Sequence, residues 1–129
     1  MTKKYDLHCH STASDGVLSP TELVHRAYAQ GVNVLALCDH DTIAGIDEAE
    51  IAAKEVGIQL ITGVEISTNW EGRWIHIVGL NFDKAHPKMT ALLQGQKTLR
   101  EKRAVEIGDK LEKAGIPNAY EGAKALADG

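Results

Sequence analysis

The chain has 129 residues, of which 43% are hydrophobic and 25% are charged, and this balance excludes a disordered chain and predicts one small folded domain or part of a larger one. The formal net charge of −4 excludes binding of duplex nucleic acid through a broad basic surface. Two cysteines, Cys9 and Cys38, form neither a CxxC pair nor a secreted disulfide framework, which favours a reducing compartment.

The N-terminus predicts a strand and no targeting segment. MTKKYDLHC lacks the apolar core of a signal peptide, and no apolar run in the sequence reaches the roughly 18 residues of a membrane span. Within it, KYDLHCH predicts the first strand. With the cysteine pattern, these features lead us to expect a cytoplasmic protein.

A first helix is predicted after the loop that follows this strand. Ser19 is a candidate N-cap, Pro20 suits the first helical position, Glu22 completes a capping box and Gly31 ends the helix. Its predicted apolar face consists of Leu23, Val24, Ala27 and Tyr28.

The following segments alternate in the same way. VNVLALCD is a continuous apolar run that predicts a buried parallel strand, and Ile43 to Val56 predicts a second helix. The inward residues of this helix would be Ile46, Ala49, Ala53 and Val56. IQLITGVEI and RWIHIVGLNF predict two more strands, and a long helix should run from about Pro87 to Ala114. The order βαβαββ predicts an α/β fold.

Several metal-ligand types occur in or directly after the predicted strands. His8 and His10 share one face of the first strand, because residues two apart in a strand point the same way. Such a pair alone is also typical of polar side chains at a sheet edge. His40 and Glu65 follow the second and third strands, and His76 lies in the fourth. Parallel sheets gather their chemistry at the carboxyl ends of strands, so we expect a cluster of cations there.

Four motifs in this order resemble the polymerase and histidinol phosphatase (PHP) domain, and most of all its stand-alone phosphoesterases of the YciV type: DLHCHSTASDG, CDHDT, GVEIS and IHIVGL. The resemblance covers Tyr5 to Leu80. It implies a distorted (β/α)7 barrel, of which this chain would supply roughly the first half. Residues 1–82 would then be the N-terminal part of the barrel, and residues 83–129 a long helix and the start of a helical insertion.

The resemblance also implies a ligand set for two or three divalent ions. Its members in this sequence are His8, His10, Asp15, His40, Glu65 and His76. Glu65 would bridge an ion on the HxH pair to a second ion on His76, and Asp15 with His40 would hold a third. Imidazole and carboxylate donors suit Mn²⁺, our first expectation, as well as Zn²⁺ or Fe²⁺. The family's remaining ligands are absent from these residues, so we expect the chain to be the front part of a longer protein and to be inactive alone.

The predicted function is that of a metal-dependent phosphoesterase. Clustered divalent ions activate hydroxide near neutral pH, and the sequence offers no GxSxG or Cys-His nucleophile that would replace it. The resemblance implies a small phosphorylated substrate, either a 3',5'-nucleoside bisphosphate or the 5' end of a short RNA. No membrane and no stably bound duplex nucleic acid are expected as partners. No substrate-binding residue is assigned.

Two other functions stay open. Amidohydrolases also begin with HxH and hydrolyse amides, although they usually place a carboxylated lysine where this chain has Glu65. A non-catalytic PHP-like binding module is the other alternative, and bound metal would distinguish an enzyme from it.

Some residues near the motifs have two interpretations. Asp39 and Asp41 can orient His40, or Asp41 (or the threonine after it) can cap the second helix. Cys38 is interpreted as core packing. Arg100 and Arg103 fall on the apolar side of the long helix, where a substrate phosphate or a protein carboxylate could pair with them.

Overall fold

The computed structural model describes residues 2–127, and within them the chain forms four strands and four helices. In chain order these are β1 (Tyr5–Cys9), α1 (Pro20–Ala29), β2 (Val34–Leu37), α2 (Ile46–Val56), β3 (Gln59–Trp70), β4 (Arg73–Leu80), α3 (Pro87–Lys113) and α4 (Ala119–Ala127). The predicted α/β class and the order βαβαββ are confirmed. None of the helices in the described part of the chain combines the length and the apolar character that a membrane crossing needs.

The strands form one sheet in the order β1-β2-β3-β4, an open α/β half-barrel. β1 pairs with β2 and β2 with β3 in parallel, whereas β3 and β4 form an antiparallel hairpin. β3 is longer than predicted, because its first residues pair with β2 and the rest, from Gly63 to Trp70, pair with β4. The prediction that Glu65 follows this strand is therefore wrong: Glu65 lies inside β3, just beyond its parallel part.

The core lies between the sheet and the helices α1 and α2. β2 is buried along its whole length, as its unbroken apolar run predicts. The capping box of α1 is confirmed, since the Ser19 side chain accepts a hydrogen bond from the Glu22 N–H at 3.1 Å. The buried stripe of α1 is narrower than predicted: Val24 and Ala27 face the core, whereas Tyr28, in the last turn, is 57% exposed.

The helix α2 begins three residues later than predicted. Its N-cap is Gly45, and a Cβ at this position would come within 2.9 Å of the Pro20 ring, so α1 and α2 meet closely there. Ile43 precedes the helix but still packs against the core. Three of the four predicted inward residues are buried, and the fourth, Val56, is half-buried.

The chain divides into two compact units, one up to Leu93 and one from Gln94 onwards. The sheet, α1 and α2 belong to the first unit. In the second unit, Gly108 of α3 lies under Tyr120 of α4, and a Cβ at Gly108 would come within 2.7 Å of the Tyr120 Cβ. The Tyr120 hydroxyl donates a hydrogen bond to Glu101. The domain boundary predicted after residue 82 stays a prediction.

Candidate metal centre

The structure brings all six predicted ligand residues together at one end of the sheet, in the first compact unit. They come from five places in the fold: His8 from β1, His10 and Asp15 from the segment after it, His40 from the segment after β2, Glu65 from β3 and His76 from β4.

Glu65 is the centre of this cluster and is only 6% exposed. Its Oε2 atom lies 3.1 Å from Nε2 of His8 and 3.1 Å from Nε2 of His10. The same oxygen is 3.5 Å from Nδ1 of His40. Its Oε1 atom faces the other way and lies 3.2 Å from Nδ1 of His76. The two oxygens of one carboxylate therefore serve different sets of imidazoles.

Asp15 completes the cluster on the side away from Glu65. Its Oδ2 atom lies 3.1 Å from Nε2 of His40, and its Oδ1 atom lies 3.5 Å from Nδ1 of His10. The rings of His10 and His40 are stacked, with centroids 4.5 Å apart and planes 14° from parallel. Asp15 itself has a side chain that is 64% exposed, so this carboxylate stands at the open side of the cluster.

Three overlapping groups of these residues can each hold a cation, with ligand atoms within 4.8 Å of one another. They are His8, His10 and Glu65; His40, Glu65 and His76; and His10, Asp15 and His40. Glu65 belongs to two groups, in keeping with the bridging role that the resemblance implies. The geometry adds a feature that the resemblance did not include, because His10 and His40 also belong to two groups each.

The hydrogen bonding within the cluster fits bound cations. The Nδ1 atoms of His10 and His40 are buried and have no hydrogen-bond partner among the described residues, since their contacts with carboxylates at 3.5 Å do not have hydrogen-bond geometry. The Nε2 atoms of His8 and His10 lie 3.2 Å apart beside the same carboxylate oxygen. Buried nitrogens without partners cost free energy, and coordination of a cation removes that cost. A mixture of imidazoles and carboxylates suits a divalent transition metal.

The electrostatics keep Glu65 in its charged form. Burial raises the pKa of Glu65, but the hydrogen bond with His8 and the charges of His40, His8 and His10 together lower it by more. The pKa of Glu65 therefore lies below its ordinary value of 4.5. An ionised carboxylate is the form that binds a cation.

A second buried carboxylate, Asp39, fixes the loop that carries Asp15. Asp39 is 1% exposed. Its Oδ1 atom accepts hydrogen bonds from the Ser11 N–H at 2.6 Å and from the Ser14 hydroxyl at 2.8 Å, and its Oδ2 atom accepts one from the Ser11 hydroxyl at 2.7 Å. The sequence signal was the pair of serines in HSTASD, but their partner is 28 residues from Ser11 along the chain and was not identified.

Of the two roles predicted for Asp41, the structure excludes the capping of α2. It does not cap α2, whose N-cap is Gly45, because the chain makes a turn between the two residues in which Thr42 accepts a hydrogen bond from the Ala44 N–H. Instead, Asp41 adopts a positive φ of 55° and joins the end of β2 to β3. Its N–H donates to the Glu65 carbonyl at 2.9 Å, and its Oδ1 atom accepts from the Ser67 N–H at 2.8 Å. These bonds hold the segment of His40 beside Glu65.

The interpretation of Cys38 as core packing is confirmed. Cys38 is fully buried, and a Cβ at Gly63 would come within 2.6 Å of its sulfur. Burial raises the pKa of Cys38 to about 11 and that of Cys9 to about 12, so both remain neutral thiols. Arg100 is exposed and Arg103 half-buried, both in the second unit, and phosphate binding by them stays a prediction.

Curated proteins with similar sequences include two exoribonucleases and a nucleoside bisphosphate phosphatase. A 5'-3' exoribonuclease of Haemophilus influenzae is 95% identical over 129 residues, which are 100% of this chain and 47% of that protein. The exoribonuclease Rnm of Escherichia coli is 54% identical over 127 residues, covering 97% of this chain and 43% of that protein. A 3',5'-nucleoside bisphosphate phosphatase of Chromobacterium violaceum is 45% identical over 123 residues, covering 95% of this chain and 43% of that protein. The chain therefore spans about half the length of the curated relatives it matches.

Solved structures and a family model agree with this similarity. A structure described as an amidohydrolase from Chromobacterium violaceum, with bound sulfate and no metal, has a TM-score of 0.87 and 44% identity, covering 98% of this chain and 44% of that one. A structure described as that of a metal-dependent phosphoesterase from Bifidobacterium adolescentis has a TM-score of 0.79 and 31% identity, covering 88% of this chain and 40% of that one. The family model of the PHP domain matches residues 6–120, and the chain therefore belongs to the PHP domain family.

Proposed function

We propose that the whole protein carrying this chain is a metal-dependent phosphoesterase that hydrolyses phosphomonoesters or nucleotide ends. The observation that carries the proposal is the convergence of four imidazoles and a second carboxylate around the buried carboxylate of Glu65. A cluster of this kind is suited to holding several cations at short distances from one another, as phosphoryl transfer requires.

The metal content is part of the proposal. The three ligand groups defined above would hold two or three divalent ions, with Mn²⁺ as the first choice and Zn²⁺ or Fe²⁺ as alternatives. When bound, such ions lower the pKa of a water molecule and neutralise charge on the phosphoryl group. No protein nucleophile is proposed.

The side chains have separate tasks in this scheme. Glu65 directs one oxygen towards His8, His10 and His40 and the other towards His76, so a single buried charge can balance two cations. The histidines must be neutral to serve as ligands. Asp15 adds a second negative charge at the open side, and Asp39 holds its loop in place.

The substrate class rests on the relatives. Those described above are a 5'-3' exoribonuclease and a 3',5'-nucleoside bisphosphate phosphatase, so we propose a small nucleotide bisphosphate or the 5' end of a short RNA. The net charge of −4 argues against stable binding of duplex nucleic acid. The two cysteines are free thiols, which is in keeping with a cytoplasmic location.

The test is hydrolysis by the whole protein of a panel containing adenosine 3',5'-bisphosphate, ribose 5-phosphate, a 5'-phosphorylated short RNA, a phosphodiester and an amide, with and without Mn²⁺. We expect metal-dependent hydrolysis, seen as release of phosphate from the bisphosphate or of a nucleotide from the 5' end of the RNA. It should be lost in His40→Ala and retained in His25→Ala, a matched exposed histidine on α1. The 129 residues alone are expected to show no turnover. Phosphate release that is unaffected by metal or by His40→Ala would overturn the proposal.

A second candidate function is amide hydrolysis, because the similar structure from Chromobacterium violaceum is described as an amidohydrolase. The same structure contains bound sulfate, an analogue of phosphate in shape and charge. Turnover of amides and no phosphomonoester in the panel would favour this function. An absence of metal and of any turnover in the whole protein would favour a binding module.

A further inference from the structure

Two exposed tryptophans lie in the β3–β4 hairpin, close to the candidate metal centre. Trp70 is 64% exposed and Trp74 is 60% exposed. The hairpin register pairs Trp70 with Arg73 and Asn69 with Trp74. Residues that pair directly across antiparallel strands share a face, and neighbouring residues on one strand point to opposite faces. The two tryptophans therefore lie on opposite faces of the hairpin.

Trp74 lies on the face that carries the metal centre. His76 follows Trp74 by two residues on β4 and therefore lies on the same face. Their partners on β3, Asn69 and Ser67, share this face with Glu65, because the three are spaced two residues apart. That this is the metal face follows from the contact of 3.2 Å between Glu65 Oε1 and His76 Nδ1. Trp74 and His76 have Cα atoms about 6.7 Å apart at the usual strand rise.

The hairpin presents this indole on a rigid support. Its two-residue loop consists of Glu71 and Gly72, and both have a positive φ, 49° and 78°. This is the conformation of the tight turns that match the twist of paired strands. The Asn69 side chain accepts a hydrogen bond from the Gly72 N–H at 3.2 Å, which ties the neighbour of Trp74 into the turn.

We propose that Trp74 is a stacking platform for the nucleobase of the substrate, next to the phosphate held at the metal centre. The inference rests on the proposed function, which supplies a nucleotide whose phosphate and base are separated by a sugar. Trp74 is 60% exposed and lies two residues before His76 on the same face, so the exposed part of its ring can stack against such a base. Stacking accepts any base, so the platform would favour nucleotides over other phosphomonoesters without selecting one base.

The structure supplies a matched control in Trp70, which has similar exposure on the same hairpin but lies on the other face. In the whole protein with Mn²⁺, Trp74→Ala should raise the KM for adenosine 3',5'-bisphosphate about tenfold, equivalent to about 1.4 kcal/mol and within the range for base stacking on an aromatic ring. The kcat should change little. The KM for ribose 5-phosphate, which has no base, should not change. The KM for the bisphosphate should stay close to that of the unsubstituted protein in Trp74→Phe, which keeps an aromatic ring, and should be unchanged in Trp70→Ala.

Fluorescence gives a readout that does not depend on turnover. Adenosine 3',5'-bisphosphate should quench tryptophan emission, and this quenching should be lost in Trp74→Phe and kept in Trp70→Phe. A 5'-phosphorylated short RNA tested in the same way shows whether the base of an RNA end uses the platform as a free nucleotide does. If Trp74→Ala leaves the KM for the bisphosphate unchanged while both substrates are hydrolysed, the platform is wrong and the proposed function stands. If neither substrate is hydrolysed by the unsubstituted protein and no quenching occurs, both are wrong.

Discussion

Asp39 and Glu65 are both buried carboxylates near the same end of the sheet, but their surroundings differ. Asp39 is surrounded by donors of the protein itself, and three short hydrogen bonds from Ser11 and Ser14 satisfy it. Glu65 faces four imidazoles, and two of them, those of His10 and His40, have a buried Nδ1 atom without a hydrogen-bond partner among the described residues. A buried carboxylate that accepts hydrogen bonds from the protein is structural. A buried carboxylate whose neighbouring imidazoles have nitrogens without hydrogen-bond partners indicates a site for a ligand.

The largest expected effect is at Glu65. Glu65→Gln in the whole protein should abolish phosphatase turnover and lower metal content more than His8→Ala or His76→Ala, because Glu65 belongs to two ligand groups through two oxygens whereas His8 and His76 each belong to one. Elemental analysis of the purified variants measures this directly. Equal metal loss in all three variants would contradict the bridging role.

Asp39 should behave in the opposite way, with a large effect on stability that does not need metal. In the presence of a chelator, Asp39→Ala should lower the free energy of unfolding by about 3 kcal/mol, because the buried donors of Ser11 and the half-buried hydroxyl of Ser14 lose their acceptor. Chemical denaturation measures the change, and Asp109→Ala, at an exposed position of α3, is the control. A loss that appears only when metal is present would make Asp39 part of the metal centre and remove the contrast.

The pH dependence of metal binding should come from the histidines and leave Glu65 charged. A group whose folded-state pKa is lowered stays ionised until the pH falls below its ordinary value, which for Glu65 is 4.5. A histidine must be neutral to bind a metal ion, so metal affinity should fall at acidic pH as protons compete with Mn²⁺ for the imidazoles. Titration with Mn²⁺ at several pH values measures this loss of affinity, and a higher Mn²⁺ concentration should move the loss to lower pH. If the pH at which binding is lost does not depend on the Mn²⁺ concentration, the loss comes from some other titrating group.

The smallest effect concerns the cysteines, which lie close to the centre without belonging to it. Raised pKa values of about 12 for Cys9 and about 11 for Cys38 keep both thiols neutral near pH 8, so labelling by a thiol reagent should be slow until the chain unfolds. The same shifts predict stability that is full below pH 9 and falls as the pH rises towards 11. Mn²⁺ should not change the labelling rate beyond its effect on unfolding. If Mn²⁺ slows the labelling of Cys9 in the folded protein, the Cys9 sulfur is a further metal ligand.

The sequence predicted those parts of the molecule that local chemistry determines. The capping box of α1 and the buried strand β2 depend on neighbouring residues, and both are as predicted. The six candidate ligands could be named because the motifs that resemble the PHP domain carry them, although Glu65 and His76 lie inside strands and not at their ends.

Pairing between distant segments was the part that sequence did not determine. The length of β3 depends on β4, which pairs with the portion that extends beyond β2. Asp39 was noted only as a neighbour of His40, because its partners Ser11 and Ser14 belong to another loop. The sharing of His10 and His40 between ligand groups likewise follows from the stacking of their rings, which no spacing in the sequence indicates.

The contrast between the two carboxylates can be tested most directly by diffraction from crystals of the whole protein grown with Mn²⁺, with data collected at the manganese absorption edge. We expect two or three anomalous peaks within coordination distance of the candidate ligands, with two of them sharing Glu65 and none beside Asp39. The absence of any peak next to Glu65 at saturating Mn²⁺ would contradict the account.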